Sequence, residues 1–310
     1  MAFTAVDVKN LREMTGVGMM DCKKALEASD GDVDKARDWL REKGLAAAQK
    51  KADRIAAEGI AYADVYDGVG VAVEINAETD FVAKNEKFVD FVKGVAQTVA
   101  TANPADLDAL FAATYPGTNR TVREQQQEMV LVIGENISIR RFARKATGTN
   151  IAYVHAGGKI GVLVNLTLEG ITDTAPALEL GRDIAMQIAA MRPLYLTNAE
   201  VEASELDKER EIQLTLAMEE NRAKGIDEEK SRQIAEKKVA GRINKFYEEI
   251  CLLNQPFVKD GKLSVGKVVE ETAKKLGGKI EVSSFVRFEK GEGIEKKQEN
   301  FADEIAKLVK

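Results

Sequence analysis

The sequence predicts an α+β protein assembled from several parts, and three features point there. Residues 1–55 repeat apolar side chains at helical spacing between glycine breaks. From Ile60 the pattern changes to the alternation of strands. Strand-like segments then recur 91 residues later, from Ile151. At roughly 100–200 residues per domain, 310 residues suit two or three domains.

In order along the chain, three short helices come first. Thr4 with Asp7 caps the first, and Val8 and Leu11 form its apolar face. Thr15-Gly16-Val17-Gly18 is a turn. The second helix runs from about Met19 to Ala28, and Gly31 breaks the chain. The third carries Val33, Ala36 and Leu40, with Trp39 alongside. Ala46 to Ala57 is helix-prone but polar and reads as a spacer. Ile60 to Asn76 is a hairpin turning at Asp67-Gly68. A helix is expected from Phe81 to Ala100, with Phe88, Phe91, Val92, Val95 and Val99 on one face. Pro104 opens a variable stretch, a helix follows near Thr121 to Val132, and Ile137 to Lys145 alternates as a strand.

The repeat begins there. Ile151-Ala152-Tyr153 matches Ile60-Ala61-Tyr62, and Gly161-Val162-Leu163-Val164 matches Gly70-Val71-Ala72-Val73. A helix from Leu178 to Met191 follows the second hairpin. Two copies are too few for a solenoid and read as two related α+β subdomains. Residues 194–255 lack proline, and Thr197 with Glu200 forms a capping-box signal. A charged helix to about Arg222, a turn at Lys224 to Asp227, and Val239, Ile243, Phe246 and Ile250 at 4-3-4 spacing describe an antiparallel helical hairpin with a coiled-coil seam. A helix from Ser264 to Leu276, a strand from Lys279 to Phe288 that rejoins the second sheet, a hinge at Gly291 to Gly293, and a terminal helix from Phe301 to Val309 complete the chain.

Composition narrows the function. There is one histidine, His155, and there are two cysteines, Cys22 and Cys251. A Cys/His zinc site needs about four ligands, and a disulfide framework needs more cysteines. Forty-five basic and 51 acidic residues leave a net charge of −6, unlike a duplex-coating protein. No run approaches the roughly 18 apolar residues of a membrane span, and the N-terminus lacks a signal-peptide pattern. Phosphate-loop, zinc-protease and nucleophile-elbow motifs are absent. The expectation is a non-enzyme without cofactor, metal, direct nucleic-acid partner or membrane attachment. A small-molecule enzyme and a scaffold that only holds a partner stand as the rival readings.

Two segments stand out. In Glu74 to Asn85 a strand ends, two candidate N-caps (Thr79, Asp80) adjoin, and Phe81 sits off the apolar stripe of the following helix. A cap with a hydrophobic staple is the plain reading; an exposed aromatic anchor for a partner is the functional one. In Leu11 to Leu26, Met19, Cys22 and Leu26 share a core-like face, whereas Met20 lies with Lys23, Lys24 and Glu27. His155 falls in a turn beside Gly157-Gly158, and the cysteines read as structural thiols.

Both segments, LREMTGVGMMDCKKAL and EINAETDFVAKN, resemble signatures of the elongation factor Ts family, guanine-nucleotide exchange factors of bacterial and organellar translation. IGENISIRR, the His155 hairpin, NQPFVK and FVRFEKGEGIEK extend the resemblance over nearly the whole chain. It implies a ubiquitin-associated-like three-helix domain (1–55), a core N-subdomain (56–139), a core C-subdomain (140–293) with small antiparallel sheets and a coiled-coil hairpin inserted at about 197–252, and a C-terminal helical module (294–310). It implies elongation factor Tu as partner. Asp80 and Phe81 then occupy the positions that intrude near the partner's Mg²⁺ site, flanked by Thr79 and Val82. Met20 and Lys23 match contact positions of the N-terminal domain, and Ile133, His155 and Val258 match contacts of the core. Lys259 departs from the apolar residue of some relatives, and 101–120 and 219–230 look longer than in compact members. A homodimer through the core or coiled coil is left open. The absent transit segment points to a bacterial cytoplasm, although a processed organellar chain would look alike.

Overall fold

The computed structural model describes residues 3–295 of the 310. The expected terminal helix at 301–309 lies outside them. The architecture is α+β, in two compact units. One comprises the described residues up to 146 together with 154–161 and those from 288; the other comprises 147–153 and 162–287.

The first unit opens with α1 (Ala5–Thr15), α2 (Met19–Ala28) and α3 (Val33–Lys51). Thr4 and Asp7 form the anticipated capping box, and Gly16, at φ 70°, closes α1 in the left-handed region. Val8, Leu11, Val17, Cys22, Ala25, Leu26, Ala36 and Leu40 make the small core of these helices. Met19 was expected in that core but is half exposed. It is the first residue of α2, at the helix end rather than in its middle turns. The spacer is a spacer only in part, because α3 continues through Ala46 to Lys51. It packs on α6 (Val122–Ile133), where Gly44 allows the approach: a Cβ there would lie 3.4 Å from the Gln127 carbonyl oxygen.

The first sheet has the order β1 (Glu58–Tyr66), β2 (Val69–Ala77), β3 (Ser138–Lys145), with antiparallel neighbours. Asp67 and Gly68 take positive φ, as a two-residue hairpin requires. α4 (Glu86–Ala102) lays Phe88, Phe91, Val92, Val95 and Val99 against the sheet in the main core. The helix expected from Phe81 starts five residues late. Residues 82–84 form a separate 3₁₀ turn, and the true N-cap is Asn85, whose Oδ1 accepts the Lys87 N–H. The variable stretch contains α5 (Leu107–Ala112), which is capped by Asp106 and buries Leu110.

In the second sheet β4 (Thr149–His155), β5 (Ile160–Glu169) and β8 (Lys279–Glu289) repeat this order, with the last strand beside the middle one. β1 and β4, like β2 and β5, start 91 residues apart. α7 (Ala175–Met191) lies close to this sheet through Gly181, where a Cβ would sit 2.7 Å from the Ile151 Cδ1. The hairpin consists of α8 (Ala203–Ala223) and α9 (Glu228–Ile250). Only Ile243 of the expected four-residue seam is fully buried; toward the tip the seam becomes Ala217, Asn221, Ser231 and Ala235. There the Asn221 amide donates to the Ser231 carbonyl and accepts from the Lys238 ammonium, which sets the register. The Thr197–Glu200 capping box does not form: the Glu200 carboxylate accepts the Leu196 N–H instead, and α8 begins only at Ala203. The short strands β6 (Pro256–Phe257) and β7 (Asp260–Ser264) precede α10 (Val265–Lys275).

The segment expected to be a hinge, Gly291 to Gly293, is a clamped turn of the first unit. The Gly291 N–H donates to Glu74 at 2.8 Å, and a Cβ on Gly291 would lie 2.1 Å from the Ala57 carbonyl oxygen. Gly291 serves close packing rather than freedom of motion, and Gly291 and Gly293 both take positive φ in the turn.

Candidate functional site

The loop between β2 and α4 carries the most exposed large apolar side chain among the described residues. Phe81 is 78% exposed, more than any other. Its neighbours are anchored. Val82 is buried in the main core. Asp80 is exposed and pairs with Lys84 at 3.6 Å. The Lys84 and Asn85 amides donate to the Phe81 and Val82 carbonyls, closing the 3₁₀ turn.

Thr79, a candidate N-cap from its sequence, does other work. Its N–H and hydroxyl donate to the two carboxylate oxygens of Glu135, at 3.0 and 2.7 Å. The reverse contact mirrors it: the Asn136 N–H donates to the Glu78 carboxylate at 2.6 Å. Two Glu-led pairs, Glu78-Thr79 and Glu135-Asn136, therefore exchange hydrogen bonds across the gap between them. The Asn136 side-chain amide donates in turn to the Ala52 and Arg54 carbonyls, just past α3. The Arg54 guanidinium lies 3.5 Å from Glu78. Burial and the Arg54 charge pull the Lys51 ammonium below its ordinary range, while Glu78 and Glu135 act against that shift. Gly134, at φ 86°, ends α6 and places Glu135 directly after the helix.

A shallow cleft adjoins the loop, lined by Gly16, Phe81, Val82, Asn85, Lys87, Val132 and Ile133 among others. Ile133 and Phe81 thus line one cleft, although 52 positions separate them. The α1–α2 turn reaches the same cleft through Gly16. That turn is stiff: Val17 is buried, and the Cys22 thiol donates to the Val17 carbonyl. Met20, 63% exposed, and Lys23, paired with Glu27, stand on the outer face of α2. His155 lies exposed at the end of β4, outside the cleft lining. Val258 belongs to the second unit; it is 54% exposed, and its N–H donates to the Gln187 side chain. Lys259 beside it pairs with Asp183 at 2.7 Å. Glu78, Glu135, Asn136 and Arg54 escape a reading of local motifs, because no spacing rule links position 78 with position 135.

Residues 78–292 match the family model described as Elongation factor TS. Elongation factor Ts of Syntrophotalea carbinolica is 49% identical over 313 residues, covering 100% of both chains. That of Symbiobacterium thermophilum is 50% identical, covering 97% of this chain and 96% of its own. That of Clostridium perfringens strain SM101 is 49% identical, covering 98% of each. The chain belongs to the elongation factor Ts family. This is a family of translation elongation factors with a nucleotide-exchange role.

Proposed function

We propose that this protein binds elongation factor Tu, promotes GDP release and stabilises the nucleotide-free state during translation elongation, without covalent chemistry of its own. The observation that carries the reading is Phe81, a large apolar ring held in solvent on an anchored loop. Such a side chain is unfavourable in the free protein unless a partner pocket receives it. On this reading Asp80 and Phe81 enter the partner near its nucleotide and Mg²⁺ site. Thr79 and Val82 hold the loop from either side. Met20 and Lys23 grip through the three-helix part, and Ile133, His155 and Val258 through the core. The four-part division expected from the resemblance, the ubiquitin-associated-like character of α1–α3 and a cytoplasmic setting belong to the same proposal.

The energetics require more than one residue. A protein that prefers the nucleotide-free partner weakens nucleotide affinity by the same factor. Speeding release by about 10³–10⁵-fold lowers the barrier by about 4–7 kcal/mol. Burying one phenylalanine yields about 2–3 kcal/mol. The wider surface must supply the rest by holding the distorted partner. The test is release of a fluorescent GDP analogue from elongation factor Tu. Catalytic amounts of this protein should accelerate it. An unchanged rate would sink the proposal in favour of a holding scaffold. Phe81→Ala should slow exchange about 10–100-fold, the loss of that burial, and leave the unfolding midpoint unchanged because the ring is exposed. Exchange at the unaltered rate would remove the wedge role from Phe81.

A further inference from the structure

We infer that Glu135, on a different element from the loop, is a positioning residue for Phe81; the inference rests on the exchange reading above. An exposed aromatic loop has two easy alternatives, mobility or collapse onto its own surface. Either one lowers the fraction of molecules ready to insert the ring, and ordering the loop at the interface costs binding free energy. The Phe81 loop is denied both. Downstream, Val82 is sunk in the core and the 3₁₀ turn is closed by two main-chain bonds. Upstream, the hold on the loop is Glu135: both of its oxygens are engaged by Thr79, two residues before the ring. A two-point contact fixes orientation as well as distance.

Glu135 is itself held. Gly134 stops α6 immediately before it, and Asn136 immediately after it bonds to Glu78 and to the Ala52 and Arg54 carbonyls. The Phe81 loop, the end of α6 and the end of α3 are therefore tied through one residue pair. Force on the ring passes to the three-helix part through hydrogen bonds, not through a free linker. Within this unit, the surface carrying Met20 and the Phe81 ring behave as one body.

The experiment is a mutant cycle with a partner-free control. Glu135→Ala, Glu135→Gln and Thr79→Val are compared in the native and Phe81→Ala backgrounds. Exchange rate, urea midpoint and amide hydrogen exchange at residues 79–82 are measured. Glu135→Ala should slow nucleotide exchange about tenfold and speed hydrogen exchange of the Thr79 and Phe81 amides in the isolated protein. Glu135→Gln keeps an acceptor for the Thr79 N–H and should recover most of the rate. Thr79→Val removes only the hydroxyl bond and should fall between, which covers the case in which Glu135→Ala fails to fold. In the Phe81→Ala background the same substitutions should change the rate less than about twofold, because the ring they position is gone. Equal losses in both backgrounds, or a native rate in Glu135→Ala, would overturn the inference. If the unaltered protein fails to accelerate release, the exchange reading falls, while the hydrogen-exchange result still reports whether Glu135 orders the loop.

Discussion

Glu74 offers the sharpest test of the packing described here. It lies on β2 and is fully buried. Its Oε1 accepts from Arg140 Nη1 at 2.9 Å, from the Gly291 N–H at 2.8 Å and from the Asn76 amide at 3.2 Å. Its Oε2 accepts from Arg141 Nε at 2.6 Å. Successive strand residues normally face opposite sides, so two adjacent arginines should not converge on one carboxylate. A break in register does it: Glu74 pairs with Arg141 and Ile75 with Ile139, leaving Arg140 as the extra residue. The arginines in turn hold the clamped turn, through the Glu292 carbonyl and carboxylate. Glu74→Ala would leave two guanidiniums and a main-chain N–H without their common acceptor. Breaking a buried pair costs about 3–5 kcal/mol. The arginine side chains are 31% and 33% exposed, so water recovers part of this, and about 2–4 kcal/mol is expected. Glu74→Gln keeps one acceptor and should cost about 1–2 kcal/mol. Urea unfolding followed by Trp39, the single tryptophan and a residue of this unit, reads the change directly. A loss below about 0.5 kcal/mol for Glu74→Ala would refute the view that this carboxylate fastens the 288–292 segment to the first sheet.

Two further predictions address other sites. Gly94 sits inside α4, where alanine is better by about 1 kcal/mol on propensity alone. A Cβ there would meet the Tyr115 hydroxyl at 2.1 Å, so Gly94→Ala should destabilise by about 1–2 kcal/mol in urea unfolding, and turn stabilising once Tyr115 is replaced by Ala. Destabilisation persisting without Tyr115 would contradict this. The Cys251 thiol is buried, and desolvation, with Glu200 and Glu205 nearby, pushes it up to about 11. It should resist a thiol reagent at pH 8 until urea unfolds the chain. Because the folded state favours the protonated thiol, its contribution to stability is complete below the unfolded value near 9 and fades as pH rises toward 11. Rapid native-state labelling at pH 8 would count against the burial.

Local signals were readable where one neighbourhood decides the outcome. The Thr4–Asp7 box, the Asp67-Gly68 turn and the α4 stripe each need only residues within a few positions of one another. Local reading failed where a distant group captured a local one. Thr79 looks like a cap for the next helix, yet Glu135, 56 positions on, takes both of its donors, and the helix waits for Asn85. At Thr197 the competitor is local instead: Glu200 turns to the Leu196 amide, one residue before the expected cap. α5 passed unnoticed because six residues are too few to establish a period. Gly291 looked like part of a flexible joint, since a sequence does not tell glycine kept for freedom from glycine kept for close approach.

By itself the sequence determined the α+β class, the 91-residue repeat and the helical hairpin, and it left Phe81 between a hydrophobic staple and an exposed anchor. Periodicity and side-chain size are local properties that survive in one dimension. The tertiary structure alone decided how that ring is held. The carboxylates of Glu78 and Glu135 are ordinary charged residues in the sequence and become a reciprocal clasp only when the end of α6 folds beside the end of β2. A hydrogen bond requires atoms within about 3 Å, and that distance is set by how helices and sheets pack, not by separation along the chain.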